Sequence, residues 1–211
     1  MERLDLLSEV KKKHNEKNIS EKMAKSFSYR RHEVVNLCAA VKDFKDRWLA
    51  LFSESQIKDE FMRITTVNLE CTFMTNLDAH MPKLLDLFKG KGGSAGTKIR
   101  PLLDSLAKDV NEDDLSDSYI NHVLKIIVRR QSVSSEVLTH VSIVIEGTEV
   151  LADCKTVAKA CTLFMGLMYA LHLSYPSRSK YTFEVFQKIF LQLDAMKMSP
   201  KVVSLRNKLL S

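Results

Sequence analysis

The chain has 211 residues, of which 45% are hydrophobic and 27% are charged. This balance is typical of a globular protein and excludes wholesale disorder. The formal net charge of +6 at pH 7 suits a nucleic acid, an acidic lipid surface or an acidic protein partner, and it selects none of them.

The first 35 residues are predicted to form a basic arm that is mobile or loosely helical. They hold nine basic and six acidic residues, and few apolar residues lie between Val10 and Phe27. A segment of this kind has little apolar surface to bury. Residues 1–35 are therefore expected to lie outside the folded core.

Residues 36–108 are predicted to form a helical subdomain. Ser53 and Gln56 have the spacing of a capping box at the start of one helix. Pro82 is expected to break or kink a later helix. The apolar residues that recur at helical spacing and should face the core are Phe44, Trp48, Leu51, Phe52, Ile57, Phe61, Leu69 and Phe73.

The glycine-rich stretch from Gly90 to Lys98 allows two interpretations. Glycines let backbone N–H groups converge on a phosphate, and Lys98 and Arg100 add positive charge. A P-loop, however, has lysine before its serine or threonine, and here Thr97 precedes Lys98. A flexible loop between helices is the main interpretation, and nucleotide binding by an enzyme is kept as a hypothesis.

Residues 119–211 are predicted to form an α+β subdomain, which could share one compact domain with residues 36–108. β-branched and apolar residues indicate one strand at 122–128 and two short strands within 141–151. Gly147 lies where a tight turn between strands needs a positive φ. We expect a three-stranded antiparallel meander.

Three helices are predicted after the strands. The helix over 158–173 is apolar on nearly every side, which indicates burial, and it is too short to span a membrane. Gly166 should allow close approach of a neighbouring element, and His172 is expected to be a core histidine on this helix. Further helices are predicted over 181–191 and 200–210. The fold class is therefore mostly α, with about seven helices and a small sheet in the C-terminal half.

The sequence carries no recognisable catalytic or metal-binding pattern. Its four cysteines are far apart and form no C-x-x-C pair, and no histidine stands at a zinc-ligand spacing. A pairing of Cys161 with His172 has no support from the residues around either. We expect no cofactor, no metal, no small-molecule ligand and no enzymatic activity. Residues 1–20 lack the apolar core of a signal peptide, so an intracellular location, cytoplasmic or nuclear, is expected.

Basic residues near aromatic ones indicate a possible nucleic-acid surface. Phe27 and Tyr29 lie beside one pair of arginines, and Tyr175 and Tyr181 lie in the basic C-terminal part. This hypothesis requires the basic residues to converge on one face. The candidate binding residues are Arg30, Arg31, Lys98, Arg100, Arg178 and Lys180.

Segments spread over roughly residues 30–211 resemble a group of fish proteins labelled sterile alpha motif domain-containing protein 3-like. The similarity is to the part of those proteins that follows the sterile alpha motif domain, without that domain itself. It implies no catalytic residues. The segments are VKDFKDRW at 41–48, LFSE at 51–54, RITTV at 63–67, KGG at 91–93, RPLLD at 100–104, VIEGTEVL at 144–151, YP at 175–176, YTFEVFQK at 181–188 and LRNKLL at 205–210.

Three hypotheses for function follow. The first is a non-enzymatic module for protein interaction or self-association, which predicts an exposed apolar patch. The second is nucleic-acid binding through the six basic residues. The third is an enzyme that binds nucleotide at the glycine-rich stretch.

Overall fold

The computed structural model describes residues 6, 8, 10, 15–37, 39–93, 97, 124–133 and 136–211. Within them lie eight α-helices with defined bounds and three β-strands. The helices are α1 (Glu16–Lys25), α2 (Phe27–Asn36), α3 (Val41–Arg47), α4 (Glu54–Thr65), α5 (Leu69–Lys89), α6 (Val157–Ala170), α7 (Lys180–Val185) and α8 (Pro200–Leu210). The strands are β1 (Leu124–Val133), β2 (Glu136–Ile145) and β3 (Thr148–Leu151). The predicted fold class, mostly α with a small sheet in the C-terminal half, is confirmed.

The three strands form an antiparallel sheet in the order β1-β2-β3, as the predicted meander requires. A two-residue turn joins β2 to β3, because Ile145 pairs with Thr148. Both turn residues have positive φ, 50° at Glu146 and 74° at Gly147, which suits the right-handed twist of a hairpin. The turn predicted at Gly147 is confirmed. The first two residues of the predicted strand 122–128 lie outside the described residues.

Helix α6 lies between the sheet and the N-terminal helices. Its residues from Ala160 to Ala170 are almost all buried, and it contacts β2 on one side and α4 and α5 on the other. The Thr156 side chain begins the helix by accepting a hydrogen bond from Lys159 N at 3.1 Å. The core is therefore continuous between the segments 36–108 and 119–211 that the sequence separated as possible subdomains.

Gly166 makes the crossing of α6 and α4 possible. A Cβ at this position would lie 2.5 Å from Ile57 Cγ2 and 2.7 Å from Leu69 Cδ2. Any larger residue would therefore push the helices apart or displace both side chains. The close approach predicted for Gly166 is confirmed.

Helix α6 ends at Ala170, three residues before the end predicted from the apolar run. His172 follows with φ 51°, a left-handed conformation that ends a helix. His172 is exposed, so its prediction as a core histidine is wrong. The apolar run continues past the helix end, and for this reason it gave no signal of where the helix stops.

Two further local predictions are corrected. Ser53 does precede α4, but its Oγ donates to Ala50 O at 3.1 Å and caps no N–H of the helix. Helix α5 continues through Pro82 to Lys89, so the break predicted at Pro82 does not occur, and the alternative of a kink stays a prediction. Asp78 and Pro82 are both exposed, so the carbonyl that loses its helical donor can be hydrated. The last helix, Pro200–Leu210, has the predicted bounds, with proline in the first turn.

The segment predicted as a mobile or loosely helical arm contains α1 and α2. Met23 of α1 is fully buried, and Arg30 and Val34 of α2 are also buried. These helices therefore contribute both apolar and polar side chains to the buried part of the structure. The predicted boundary at residue 35 therefore does not separate folded from unfolded structure within residues 15–37.

Four charged residues join the N-terminal parts of α4, α5 and α6. Lys58 Nζ lies 2.9 Å from Glu54 Oε1 and 2.8 Å from Glu70 Oε2, and Lys159 Nζ lies 2.7 Å from Glu54 Oε1. The hydrogen bond from Lys58 lowers the pKa of Glu70, with further lowering by the charges of Lys58 and Lys159. The four charges alternate in sign, so each stabilises its neighbours.

We expect Gly166→Ala to lower the free energy of unfolding by about 1–3 kcal/mol, because overpacking at the crossing outweighs the better helix propensity of alanine. Urea unfolding followed by circular dichroism measures this. Gly92→Ala is the control, since a Cβ there meets no atom within 4 Å. Equal stability of the two variants would contradict a close helix crossing at Gly166.

We expect Glu70→Gln to lower the free energy of unfolding at pH 7 by about 0.5 kcal/mol, the size of an exposed ion pair. Because the pKa of Glu70 is lowered in the folded state, this stabilisation is present above the unfolded pKa and is lost as pH falls through the folded pKa. The difference from the parent protein should therefore shrink in acid and vanish once pH falls below the lowered folded pKa of Glu70. Asp86→Asn, which removes an exposed carboxylate of α5, should show no comparable change between pH 7 and acid. If Glu70→Gln lowers the free energy of unfolding by the same amount at pH 7 and in acid, the charge cluster does not stabilise the fold.

Candidate interaction surfaces

Arg30, a predicted nucleic-acid contact, is buried between α2 and α4. The side chains of Arg30 and Glu60 are each 1% exposed. Arg30 donates from Nε and Nη2 to the two Glu60 carboxylate oxygens at 3.0 and 2.6 Å, and from Nη1 to Ser26 Oγ at 2.7 Å. A guanidinium that is buried and hydrogen-bonded within the fold cannot contact a phosphate group of a nucleic acid. The predicted place of Arg30 on a binding surface is therefore wrong.

A second network surrounds the indole of Trp48, next to Arg30. Trp48 Nε1 donates to Glu33 Oε2 at 2.8 Å, and Glu33 also pairs with Arg47. The guanidinium carbon of Arg30 lies 5.6 Å from the centroid of the Trp48 ring, within the range of a cation–π contact. These contacts fix α2 against the chain segment that follows α3.

Arg31, the next predicted contact, caps the C-terminal end of α6. Its Nη1 donates to Tyr169 O at 3.0 Å and to Ala170 O at 3.4 Å. The last carbonyls of a helix have no helical donor, and a cation there is stabilised by the helix dipole. Burial lowers the pKa of Arg31. Arg31 therefore has a structural partner, which its position in the sequence did not indicate.

Of the other four predicted residues, only the side chain of Lys180 is described. Lys98 and Arg100 lie outside the described residues, as does the side chain of Arg178. Lys180 is exposed at the start of α7, with its Nζ 4.9 Å from the centroid of the Tyr181 ring. The described members of the predicted set therefore form no common basic face.

Three exposed apolar side chains that the sequence analysis did not assign to a surface lie on α2, at its C-terminal end and directly after Trp48. They are Tyr29, Leu37 and Leu49, which are 67%, 64% and 42% exposed. Tyr29, Glu33 and Leu37 follow one another at one-turn spacing along α2 and its C-terminal end. The Tyr29 ring lies 5.9 Å from that of Trp48, and Leu49 directly follows Trp48. We call these three side chains the Tyr29–Leu37–Leu49 surface.

The glycine-rich stretch and the cysteines give no evidence of chemistry in the described residues. Residues 90–93 and 97 of the stretch are described, whereas residues 94–96, Lys98 and Arg100, on which the nucleotide hypothesis also depends, lie outside the described residues. Burial raises the pKa of the Cys154 and Cys161 thiols to about 11, which keeps both protonated at neutral pH. Among the described residues no group of three metal-ligating side chains comes together. None of the helices searched there has the length and apolar content of a membrane span.

We expect the loss of Glu60 to be more harmful than the loss of Arg30. Glu60→Met leaves Arg30 buried without an anion, which should cost about 3–5 kcal/mol of unfolding free energy. Arg30→Met leaves Glu60 paired with Arg63, whose Nη1 lies 2.9 Å from Glu60 Oε2, and should cost about 1–3 kcal/mol. The double variant should be more stable than the sum of the two losses predicts.

Urea unfolding of the parent, the two single variants and the double variant forms a double-mutant cycle, which measures the coupling energy between Arg30 and Glu60. Arg63→Met is the control for removing a partly exposed cation from the same cluster. If the two losses add without coupling, the buried ion pair does not exist in solution.

The comparisons with known proteins bear on the N-terminal part of the chain. Neither a curated protein nor a solved structure matches the chain. Residues 1–53 match the family described as sterile alpha motif domain-containing protein 3, helical domain. This segment contains α1, α2, α3 and the whole Tyr29–Leu37–Leu49 surface. The match agrees with the resemblance seen in the sequence, and it covers residues 1–53 of the 211-residue chain.

Proposed function

We propose that this chain is a non-enzymatic, intracellular protein-interaction module that associates with a second copy of itself through the Tyr29–Leu37–Leu49 surface. The observation that carries the proposal is the exposure of these three apolar side chains in the part of the chain that also holds the hydrogen-bonded Trp48 and Glu33. Apolar side chains clustered on a surface favour contact with another protein. The surface also lies within the segment that matches a protein family.

A second copy is the partner best supported by the charges around this surface. A patch that lies on a two-fold axis meets its own copy, so an apolar patch is complementary to itself. Glu33 and Arg47 pair with each other within one chain. The Glu33 and Arg47 charges beside the buried Trp48 would therefore stay paired within each chain if two copies met through Tyr29, Leu37 and Leu49.

An intracellular location and the nucleic-acid alternative rest on weaker support. Cys71, Cys154 and Cys161 are free thiols, which suits a reducing compartment. Nucleic-acid binding loses two of its six candidate residues, because Arg30 and Arg31 are engaged inside the fold. We keep nucleic-acid binding as an outcome of the test.

We expect the protein to dimerise at concentrations of about 10–100 μM, a range typical of a small interface. Tyr29→Ser and Leu37→Ser should each weaken dimerisation about tenfold or more, because they remove apolar area from the contact. Leu210→Ser is the matched control, since Leu210 is 67% exposed and lies on α8, far along the chain. Sedimentation equilibrium at several concentrations measures the dissociation constants.

A monomeric parent protein up to several hundred μM, roughly the limit of a specific weak dimer, would contradict self-association. Equal weakening by Leu210→Ser would contradict the location of the contact. Labelled DNA and RNA, titrated at about 50 and 200 mM salt, test the alternative. Tight binding that weakens steeply with salt would replace the present proposal with the nucleic-acid one.

A further inference from the structure

A shallow groove runs along the solvent-facing side of α8, far from the Tyr29–Leu37–Leu49 surface in sequence. Its volume is about 750 Å³, and its lining includes Met198, Pro200, Val203, Ser204, Asn207 and Lys208. Val202 and Leu209, on the opposite side of α8, are buried. The helix is therefore anchored by one face and presents the other, partly apolar face to solvent.

The basic residues around this groove have no ion-pair partner in the described part of the chain. Lys201 and Lys208 are seven residues apart on α8, so they lie on the same side of the helix. Lys201 Nζ is 4.5 Å from the centroid of the Tyr181 ring, which Lys180 Nζ approaches to 4.9 Å. Three ammonium groups thus lie along α8 and the start of α7.

The nearby carboxylates do not neutralise these lysines. Glu184 pairs with Lys188 at 3.3 Å and accepts a hydrogen bond from Ser199 N at 2.5 Å. Asp194 accepts a hydrogen bond from Gln187 Nε2 at 3.2 Å. These are the two acidic residues between Ser177 and the last residue of the sequence. Lys201 and Lys208 are both exposed, so the side of the groove that carries them presents two ammonium groups that form no ion pair within the described residues.

We propose that the α8 groove binds an acidic amphipathic segment of a protein partner. Apolar side chains of that segment would contact Met198, Pro200 and Val203, while its carboxylates would reach Lys201 and Lys208. The combination of an apolar lining with a positive edge is complementary to such a segment. This proposal does not depend on self-association, because it uses a different surface and a different partner.

A nucleic acid fits the same groove less well. Binding of a nucleic acid is dominated by many phosphate contacts with Lys and Arg, and single strands also need open aromatic faces for stacking. Here Lys208 is the one cation in the lining of the groove. Tyr181, the aromatic residue beside the lysines, is contacted by the ammonium groups of Lys180 and Lys201.

The test uses the full chain and a fluorescein-labelled synthetic peptide of about 15 residues with leucine and glutamate at helical spacing. Two matched peptides replace all glutamates by glutamine or all leucines by serine. Fluorescence anisotropy should show that each replacement weakens binding about tenfold or more. Binding that survives either replacement would overturn the proposal, because the groove is argued to need both kinds of contact.

Charge reversals on one helix locate the binding site. Lys208→Glu should weaken binding of the glutamate peptide about tenfold, whereas Arg206→Glu should leave it within about twofold. Arg206 is exposed on α8 but is not part of the groove lining, so it is a control with the same change of charge. Lys208→Gln provides a milder second variant, and circular dichroism confirms that each variant is folded.

Three outcomes would overturn this location or this partner. Equal weakening by both reversals would mean general charge attraction without a groove. The absence of binding by the parent protein would exclude this class of peptide. Tighter binding of single-stranded RNA, or of vesicles containing phosphatidylserine, that is lost in Lys208→Glu would assign the surface to a different anionic partner.

Discussion

The crossing of α6 and α4 at Gly166 is the contact on which the rest of the described structure depends. With no Cβ at this position, Ile57 and Leu69 pack directly against the backbone of α6. On its other side, α6 contacts β2, whose Val141, Ile143 and Ile145 are buried. One helix from the second half of the chain therefore joins the sheet to the N-terminal helices in one core. Local sequence patterns favoured two subdomains because each half has its own apolar periodicity.

Two successive arginines of α2, Arg30 and Arg31, attach this helix to α4 and α6. Neighbouring residues of a helix point about 100° apart, so Arg30 reaches Glu60 of α4 while Arg31 reaches the terminal carbonyls of α6. Both contacts fix the rotation of α2 about its axis. They leave Tyr29 and the C-terminal Leu37 exposed. The basic residues that suggested nucleic-acid binding thus orient the apolar surface on which the proposed self-association depends.

The parts of the fold that could be predicted are those set by local chemistry. The turn at Gly147 follows from the need for positive φ, and the start of α8 follows from proline in the first turn. The partner of Arg30 could not be predicted, because Glu60 lies 30 residues away and either charge alone is typical of a surface. The sequence analysis named Tyr29 only as an aromatic residue beside two arginines, and it did not single out Leu37. Helix α2 buries Arg30 and Glu33, so its apolar residues do not mark its buried face.

The formal net charge of +6 therefore does not indicate which charges are available for contact with a partner. Arg30, Arg47, Lys58 and Lys159 are each matched by a carboxylate within the fold, and paired charges contribute little field at a distance. Along α7 and α8, by contrast, the exposed residues Lys180, Lys201 and Lys208 form no ion pair within the described residues and contribute positive field there. Such a field is screened by salt, whereas contact between apolar side chains is not. The two proposed surfaces thus differ in their physics, and ionic strength separates binding at the α8 groove from association through Tyr29, Leu37 and Leu49.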